Sequence, residues 1–411
     1  MRLWIYLMLF GATLAPQASA TAKDVLAKEV AAHSYAFNIR ADGSLGGAGA
    51  GLLGREADQA QFFMVGEQHG TAGIAQVNLG LHRLASAHGY NHAALEIGPY
   101  STRDVGALIR TGQGRLAQFI RRPGNDFVFP FLGWAEEVAL AEQIVQLSPA
   151  KSPVLWGIDQ EFVGSAPLHI ARLRTWARSP AQKAAVEQFA AEAAADPLLL
   201  GMLEPASYDL LRKSFPTKRY PEAAHLIENL AASTAIYAPF AGKGGSRQAA
   251  NAARETLLKQ QFMAHFQQAE ATLGQPPKVF FKFGANHAMR GHSLSDVPAF
   301  GNFLAEWGLS RGFSMLNIAV DCVGGEQSDL RTGGRSPCRP YIDLPADSPL
   351  RVPASRKQLM LFDLRPLRAV MPKTIDPETK RLILAFDFYI PVANPPAATM
   401  LVQPTRKAPL K

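Results

Sequence analysis

Cysteine and charge are both scarce in this sequence. The 411 residues include two cysteines, and 18% of the residues are charged, below the share of about 25% that is usual for globular domains. The low charge and the 47% of hydrophobic residues exclude a disordered or fibrous chain. A chain of this length and composition has enough apolar material for a sizeable core.

Several patterns that mark common functions are also missing. The sequence has no serine in a G-x-S-x-G turn and no H-E-x-x-H helix. No basic run is interleaved with aromatic residues, although the formal net charge is +8, so we expect no nucleic-acid partner. After residue 20, no run of about 18 apolar residues would span a membrane. A small-molecule substrate is therefore the partner that we expect.

The first twenty residues have the pattern of a secretory signal peptide. Arg2 precedes an apolar stretch over residues 3–14, and residues 18–20 form an A-x-A cleavage site. We expect export to the periplasm or the exterior, with a single mature domain over residues 21–411. An uncleaved N-terminal anchor is the alternative.

The two cysteines, Cys322 and Cys338, are expected to form a disulfide. An exported chain meets an oxidising compartment, where an even number of cysteines favours pairing. Two free buried thiols are the alternative. A metal site in the glycine-rich loop between them would need more ligands than that loop offers.

Two distant stretches share the pattern of a buried strand followed by Gly-x-x-His. The first ends in His69 and the second in His287. Glu67 lies within the first motif, and Asn286 precedes the second histidine. Because ligands bind beyond the carboxyl ends of strands in open α/β sheets, the two histidines are predicted to meet in one crevice.

Two further strands also end in carboxylates. Glu96 follows one apolar run and Asp159 follows another, with helical patterns between the strands. This alternation predicts an α/β fold with a mainly parallel central sheet flanked by helices. All four strand ends would then lie at one edge of the sheet.

The combination of histidines and carboxylates fits the activation of water. A histidine with a pKa near 6.5 can accept a proton from water, and a neighbouring carboxylate can fix its tautomer. A second histidine, or Arg254 on a later helix, can stabilise an oxyanion. The alternatives are a structural strand-end histidine, carboxylates that only cap helices, and an arginine on a solvated face.

The cofactor stays open at this point. Two histidines and two carboxylates can also bind a divalent metal and activate its water. A histidine can equally be an axial haem ligand. The sequence therefore also permits a haem- or metal-binding protein.

The remaining segments carry weaker signals. A strand-free stretch at about 167–250 predicts a helical insertion that caps the crevice, and a C-terminal extension begins at about 322. The glycine-rich residues 41–56 are predicted to be a mobile loop. Late strands are predicted at 358–364 and 381–390, and a loose proline-rich tail from 391.

The order of these motifs resembles that of the erythromycin esterase and ChaN-like superfamily, which also includes TIKI-type proteins. The resemblance spans about residues 60–320. It rests on Gly66–Gly70, Ala94–Glu96, Phe131–Glu137, Gly157–Asp159, Arg254–Glu255 and Asn286–His287.

The resemblance implies a parallel-centred sheet with a helical cap and a metal-free esterase-like mechanism. His69 would be the general base, oriented by Glu67 or Glu96, with His287 assisting. The implied substrate-binding residues are Asp159, Arg254, Asn286 and Glu137. The ChaN branch implies haem binding instead, and the TIKI branch implies a metal-dependent protease. The sequence as a whole predicts an exported hydrolase that acts on an ester or lactone bond.

Overall fold

The computed structural model describes residues 22–149, 154–194, 199–351 and 358–403. The predicted signal peptide, residues 1–20, lies outside the described residues. Within the described ranges, every helix is too short or too polar to cross a membrane.

Strands of the described chain form one large sheet and one hairpin. The strands are β1 (Ser34–Ile39), β2 (Leu45–Gly46), β3 (Phe62–Glu67), β4 (His92–Leu95), β5 (Leu155–Gly157), β6 (Val279–Gly284), β7 (Met315–Val323), β8 (Glu326–Ser328), β9 (Arg335–Pro337), β10 (Leu359–Asp363) and β11 (Phe388–Ala393). The large sheet has the order β2-β1-β10-β11-β7-β3-β6-β4-β5, and β8 pairs with β9. Neighbouring strands in the run β11-β7-β3-β6-β4-β5 pair in parallel. The pairs β2-β1, β1-β10 and β10-β11 are antiparallel. The predicted α/β fold with a mainly parallel sheet is thereby confirmed.

Helices flank this sheet on both faces. They are α1 (Ala22–Ala32), α2 (Ala48–Gln59), α3 (Ala72–Ala87), α4 (Pro99–Arg110), α5 (Arg115–Ile120), α6 (Ala135–Leu147), α7 (Ala166–Trp176), α8 (Pro180–Ala194), α9 (Asp209–Ser214), α10 (Pro221–Tyr237), α11 (Arg247–Leu273), α12 (Ala285–Ala288), α13 (Phe300–Ser310), α14 (Leu367–Val370) and α15 (Pro377–Ala385). Between β5 and β6 the described residues contain helices and no strand.

The central strands β3 and β6 are buried along their whole length. Successive side chains of a strand point to opposite faces, so one continuous apolar run can supply two cores. Accordingly, Phe63 belongs to the hydrophobic cluster on one face and Phe62 to the cluster on the other. These two cores hold the strands so that their carboxyl ends meet at one edge. The helical region after β5 has a third, smaller cluster around Phe189, Phe215 and Leu226.

The prediction of a mobile loop at residues 41–56 is wrong. This stretch forms β2 and most of α2, whose buried face includes Leu53 and Ala57. Gly49 marks close packing there, because a Cβ at this position would lie 3.1 Å from the Tyr35 carbonyl oxygen and 3.3 Å from Leu361 Cβ. This glycine is therefore a sign of tight contact between α2 and the neighbouring strands.

Two predictions near the C-terminus are also wrong. The predicted strand over 381–390 is mostly helix α15, and extended structure begins with β11 at Phe388. Asp376 caps α15 by accepting a hydrogen bond from the Thr379 N–H. The tail after residue 391 is paired rather than loose, because Ala397 bridges to Thr71 and Met400 bridges to Trp134. The segment from about 322 onward thus contributes β10 and β11 to the main sheet.

Candidate active site

The first Gly-x-x-His motif forms the turn from β3 into α3. Gly70 has φ +82°, a left-handed conformation that favours glycine, and Thr71 caps α3 by accepting from the Ile74 N–H. This turn places His69 against the end of its own strand. His69 Nδ1 lies 2.8 Å from Glu67 Oε1, and Glu67 is 1% exposed. The chain thus builds a histidine–carboxylate pair from residues two positions apart.

The other ring nitrogen of His69 faces a second carboxylate. His69 Nε2 lies 3.4 Å from Glu96 Oε2, beyond the end of β4, and the ring stacks on Phe131 with centroids 4.3 Å apart. Burial by itself lowers the pKa of His69, but hydrogen bonds to Glu67 and Glu96 outweigh it and raise the pKa to about 9. The imidazolium form is therefore stabilised by two carboxylates.

The second Gly-x-x-His motif places His287 beside Glu96 as well. His287 lies on α12, directly after β6, with Nδ1 2.5 Å from Glu255 Oε1 and Nε2 3.5 Å from Glu96 Oε1. Burial and the neighbouring Arg254 lower its pKa, whereas Glu96 and Glu255 raise it, with a net rise to about 9. The structure thus brings His69 and His287 together, as the repeated motif predicts.

Two other histidines, His82 (buried) and His265 (half-buried), show what burial does without carboxylate partners. His82 and His265 have pKa values lowered to about 4, and burial is the largest cause for both. The raised pKa values of His69 and His287 therefore reflect the acidic partners that the fold brings to them.

Arg254 links the carboxylates at the ends of two strands. Its Nε donates to Asp159 Oδ1 at 2.9 Å and its Nη2 donates to Glu96 Oε1 at 2.8 Å. Glu96 Oε2 also accepts from the Gly284 N–H at 2.7 Å. Burial by itself would raise the pKa of Glu96, but His287, His69 and Arg254 hold it well below its usual range. Glu96 is thus the carboxylate at which both histidines and the arginine meet.

Lys282 is a site residue that the sequence analysis missed. It lies on β6, is 4% exposed, and its Nζ lies 2.5 Å from Glu67 Oε1 and 2.6 Å from Glu137 Oε2. Burial raises the pKa of Glu137, which Lys282 opposes. A single charged residue inside an otherwise apolar strand was the available signal. Glu137 thus contacts Lys282, and its role beside a substrate stays a prediction.

Asn286 holds a neighbouring loop in place. Its Oδ1 accepts from the Leu294 N–H at 2.7 Å, and its Nδ2 donates to Ser295 Oγ at 3.3 Å. Asn286 and Ser295 both line the crevice described next. The residue is thus placed to shape the crevice wall.

A crevice of about 560 Å³ opens onto this cluster. It reaches the polar groups at Glu96, Asp159 and Arg254, and 17% of the His69 side chain is exposed. Aromatic rings from the segment between α5 and α6, from the loop after β5 and from the helical region form much of its wall, namely Phe127, Phe131, Phe162, Tyr237 and Phe240. The arrangement suits an apolar ligand that presents one polar group to the carboxylate end.

The predicted disulfide between Cys322 and Cys338 is confirmed. It joins the end of β7 to the segment after β9, with the two Cα atoms 6.5 Å apart. The bond therefore ties the chain after β9 to the same sheet edge that carries the histidines.

The donor set does not fit a divalent metal ion. Within the described ranges, no group of three or more histidine, cysteine, aspartate or glutamate side chains is placed to hold one. Glu96 is already paired with Arg254, and Glu67 with Lys282, so a cation would meet two fixed positive charges. Both histidine Nε2 atoms also face the Glu96 carboxylate, so neither nitrogen is presented to a haem iron.

Comparison with known proteins places the fold. No protein-family profile and no curated protein sequence matches the chain. A Bacillus cereus protein matches with TM-score 0.59 and 16% identity over 93% of this chain and 99% of its own. A succinoglycan biosynthesis protein matches with TM-score 0.60 and 15% identity over 93% and 100%. A mutant of the erythromycin esterase EreC in its open conformation matches with TM-score 0.58 and 15% identity over 86% and 95%. The chain has the erythromycin esterase-like fold expected from its motifs.

Proposed function

We propose that this protein is a hydrolase that opens an ester or lactone bond in a small, largely apolar molecule, using water activated by His69. The observation that carries the proposal is the meeting of His69 and His287 at Glu96, next to an aromatic crevice. One of the structural neighbours is a mutant of the erythromycin esterase EreC.

His69 suits the role of general base through its Nε2 atom. In its neutral form this nitrogen accepts a proton from water, while Glu67 at Nδ1 fixes the tautomer and stabilises the imidazolium that forms. The water oxygen then bonds to the carbonyl carbon, and the carbonyl oxygen becomes negatively charged.

Positively charged groups near Glu96 would stabilise the oxyanion and protonate the leaving group. His287 and Arg254 supply charge that stabilises the oxyanion. When the bond between the carbonyl carbon and the ester oxygen breaks, the leaving alkoxide takes a proton from an imidazolium. An acid and an alcohol are released, or a hydroxy acid if the substrate is a lactone.

The crevice supports an apolar substrate of moderate size. Its volume lies within the range of about 300–1,000 Å³ that is usual for small-molecule sites. Aromatic walls favour an apolar body such as a macrocycle or an acyl chain, and the polar end favours a carbonyl group. Residues 1–20 and the disulfide support our further proposal that the protein acts in the periplasm or outside the cell.

The test is hydrolysis of a panel of p-nitrophenyl esters, lactones and macrolides by the mature protein. We expect His69→Gln to reduce kcat/KM by about 1,000-fold or more while the variant remains folded by circular dichroism. His88→Gln is the matched control, because His88 contacts Asp58 outside the crevice and should leave activity unchanged. Full activity in His69→Gln would disprove the assignment.

The alternatives from the resemblance are a haem- or divalent-metal-binding protein and a metal-dependent protease. Elemental analysis and an absorbance scan of the purified protein separate them from the proposed mechanism. We expect hydrolysis to persist after treatment with a chelator. A stoichiometric metal, or a Soret band on titration with hemin, would favour the alternatives.

A further inference from the structure

The wall of the crevice contains two arginines whose charges are balanced differently. Among the described residues that line it, the charged ones are Glu96, Asp159, Arg254 and Arg331. Arg254 donates to both Glu96 and Asp159, so its charge is balanced inside the crevice. Within the described ranges, the ion-pair partner of Arg331 is Asp329, which is outside the lining, with Nη2 3.4 Å from Oδ2. Arg331 therefore brings a positive charge to the crevice that the lining carboxylates do not balance.

The contact with Asp329 leaves most of the Arg331 guanidinium available to a ligand. Its 3.4 Å length exceeds the range of about 2.7–2.9 Å that is usual for a charge-assisted hydrogen bond. The two side chains are 42% and 39% exposed, and ion pairs of such exposure contribute little. Asp329 Oδ1 instead holds the turn, since it accepts from the N–H groups of Arg331 at 2.7 Å and Thr332 at 3.3 Å. The fork of N–H donors on Arg331 can thus bind a further anion.

The hairpin that carries Arg331 is attached to the turn that carries His69. Arg331 lies between β8 and β9, and the last residue of β8, Ser328, donates its N–H to the Gly70 carbonyl oxygen at 2.8 Å. Leu330 lines the crevice beside Arg331. The disulfide ties the chain after β9 to the end of β7. Backbone contacts and a covalent bond therefore fix the base of the Arg331 side chain relative to the catalytic end of the crevice.

The rest of the crevice wall also favours an anionic ligand over a cationic one. The guanidinium carbon of Arg247 lies 5.6 Å from the ring centroid of Phe240, which lines the crevice, so a second arginine borders the wall. The lining carboxylates, Glu96 and Asp159, are both paired with Arg254. A cationic ligand would be repelled by Arg331, whereas a ligand with an apolar body and one anionic group would contact both the aromatic wall and the arginine.

We propose that the substrate carries an anionic group, a carboxylate or a phosphate, and that Arg331 is the residue that binds it. The inference rests on the proposed hydrolase function for the statement that the ligand is a substrate, whereas the anion site itself stands on the structure. A guanidinium can donate two parallel N–H hydrogen bonds to either group. The substrate class is thus an ester or lactone with an apolar body and one anionic substituent.

A matched pair of esters tests this role in turnover. The p-nitrophenyl ester of octanoic acid is neutral, whereas the mono-p-nitrophenyl ester of suberic acid has the same chain length and a terminal carboxylate. We expect kcat/KM of the wild type to be about 10-fold higher for the suberate ester. In Arg331→Gln, KM for the suberate ester should rise about 10-fold, with kcat and the octanoate ester unchanged. Arg335→Gln is the matched control, because it removes the same charge from exposed β9 of the same hairpin and should keep the preference.

Three results with these esters would overturn the inference. They are a wild type without a preference for the suberate ester, an Arg331→Gln variant that keeps the preference, and an equal loss for both esters in Arg331→Gln. The last result would show that Arg331 only shapes the wall. In each case, loss of hydrolysis in His69→Gln would leave the proposed function intact.

Calorimetric titrations test the anion site without any turnover. The probes are octanoate, octyl phosphate and the neutral octanamide. We expect at least one of the two anions to bind the wild type about 10-fold more tightly than octanamide, and the tighter anion identifies the group. Arg331→Gln should remove this difference and Arg335→Gln should keep it. If the wild type hydrolyses no ester yet shows this dependence on Arg331, the proposed function fails and the anion site stands. Equal affinities of the wild type for the three probes would overturn the inference.

Discussion

His69 and His287 approach opposite oxygens of one carboxylate. His69 Nε2 lies 3.4 Å from Glu96 Oε2, and His287 Nε2 lies 3.5 Å from Glu96 Oε1. Each histidine also has its own carboxylate at Nδ1, Glu67 for the first and Glu255 for the second. Both imidazolium forms are stabilised by the same central charge, which makes the activity and the stability of the protein depend on pH.

The first prediction concerns the pH dependence of catalysis. The proposed base must be neutral, and the pKa of His69 is about 9. We therefore expect kcat/KM to rise roughly tenfold from pH 7 to pH 8 and to begin to level off near pH 9, because the neutral fraction changes in that way around the pKa. In Glu96→Gln, which lacks one of the charges that raise this pKa, the inflection should move to lower pH. A profile that falls from pH 7 upward would show that the imidazolium is the required form.

The second prediction concerns stability. The folded-state pKa of His69, about 9, lies above its ordinary value of 6.5, so folding favours the protonated form. The resulting stabilisation is complete below pH 6.5 and is lost as the pH rises through 9. We expect the free energy of unfolding of His69→Gln to be lower than that of the wild type by on the order of 3 kcal/mol at pH 6. Denaturant titrations over the pH range should show this difference shrinking towards pH 10; a difference that grows with pH would contradict the assignment.

The third prediction concerns the buried lysine. Lys282→Met would leave the carboxylates of Glu67 and Glu137 buried without their shared cation. We expect the free energy of unfolding at pH 7 to fall by about 3–5 kcal/mol. Part of the loss should be recovered at lower pH, where the carboxylates become protonated. Lys278→Met is the matched control, since Lys278 is half-buried and hydrogen-bonds to backbone carbonyl groups, and it should lose only about 1 kcal/mol. Equal losses in the two variants would show that the ion pairs contribute little.

The fourth prediction concerns the disulfide. The double variant Cys322→Ser/Cys338→Ser removes a covalent link across 16 positions of the sequence. The chain-entropy argument gives a loss of about 3 kcal/mol in the free energy of unfolding. Urea denaturation with and without a reductant measures it: the reductant should destabilise the wild type and leave the double variant unchanged. An identical midpoint for the wild type and the double variant would contradict the prediction.

Local patterns were sufficient to predict much of the fold. The apolar runs before His69 and His287 became β3 and β6, and the helical spacing after Thr71 became α3. Such signals depend on residues that are close in sequence, which is why they can be recognised without the tertiary structure. The same reliance on local signals made the prediction of a loop at 41–56 wrong. A glycine in a loop and a glycine packed under a neighbouring strand cannot be distinguished in the sequence.

The sequence by itself determined that His69 and His287 lie at the ends of parallel strands, because alternating strands and helices leave few other arrangements. Only the tertiary structure decided that both histidines share Glu96, that Lys282 neutralises Glu67, and that Ser328 of the β8–β9 hairpin hydrogen-bonds to Gly70. These contacts join segments far apart in the chain. They follow from strand order and from packing across the sheet, which no local pattern of residues encodes.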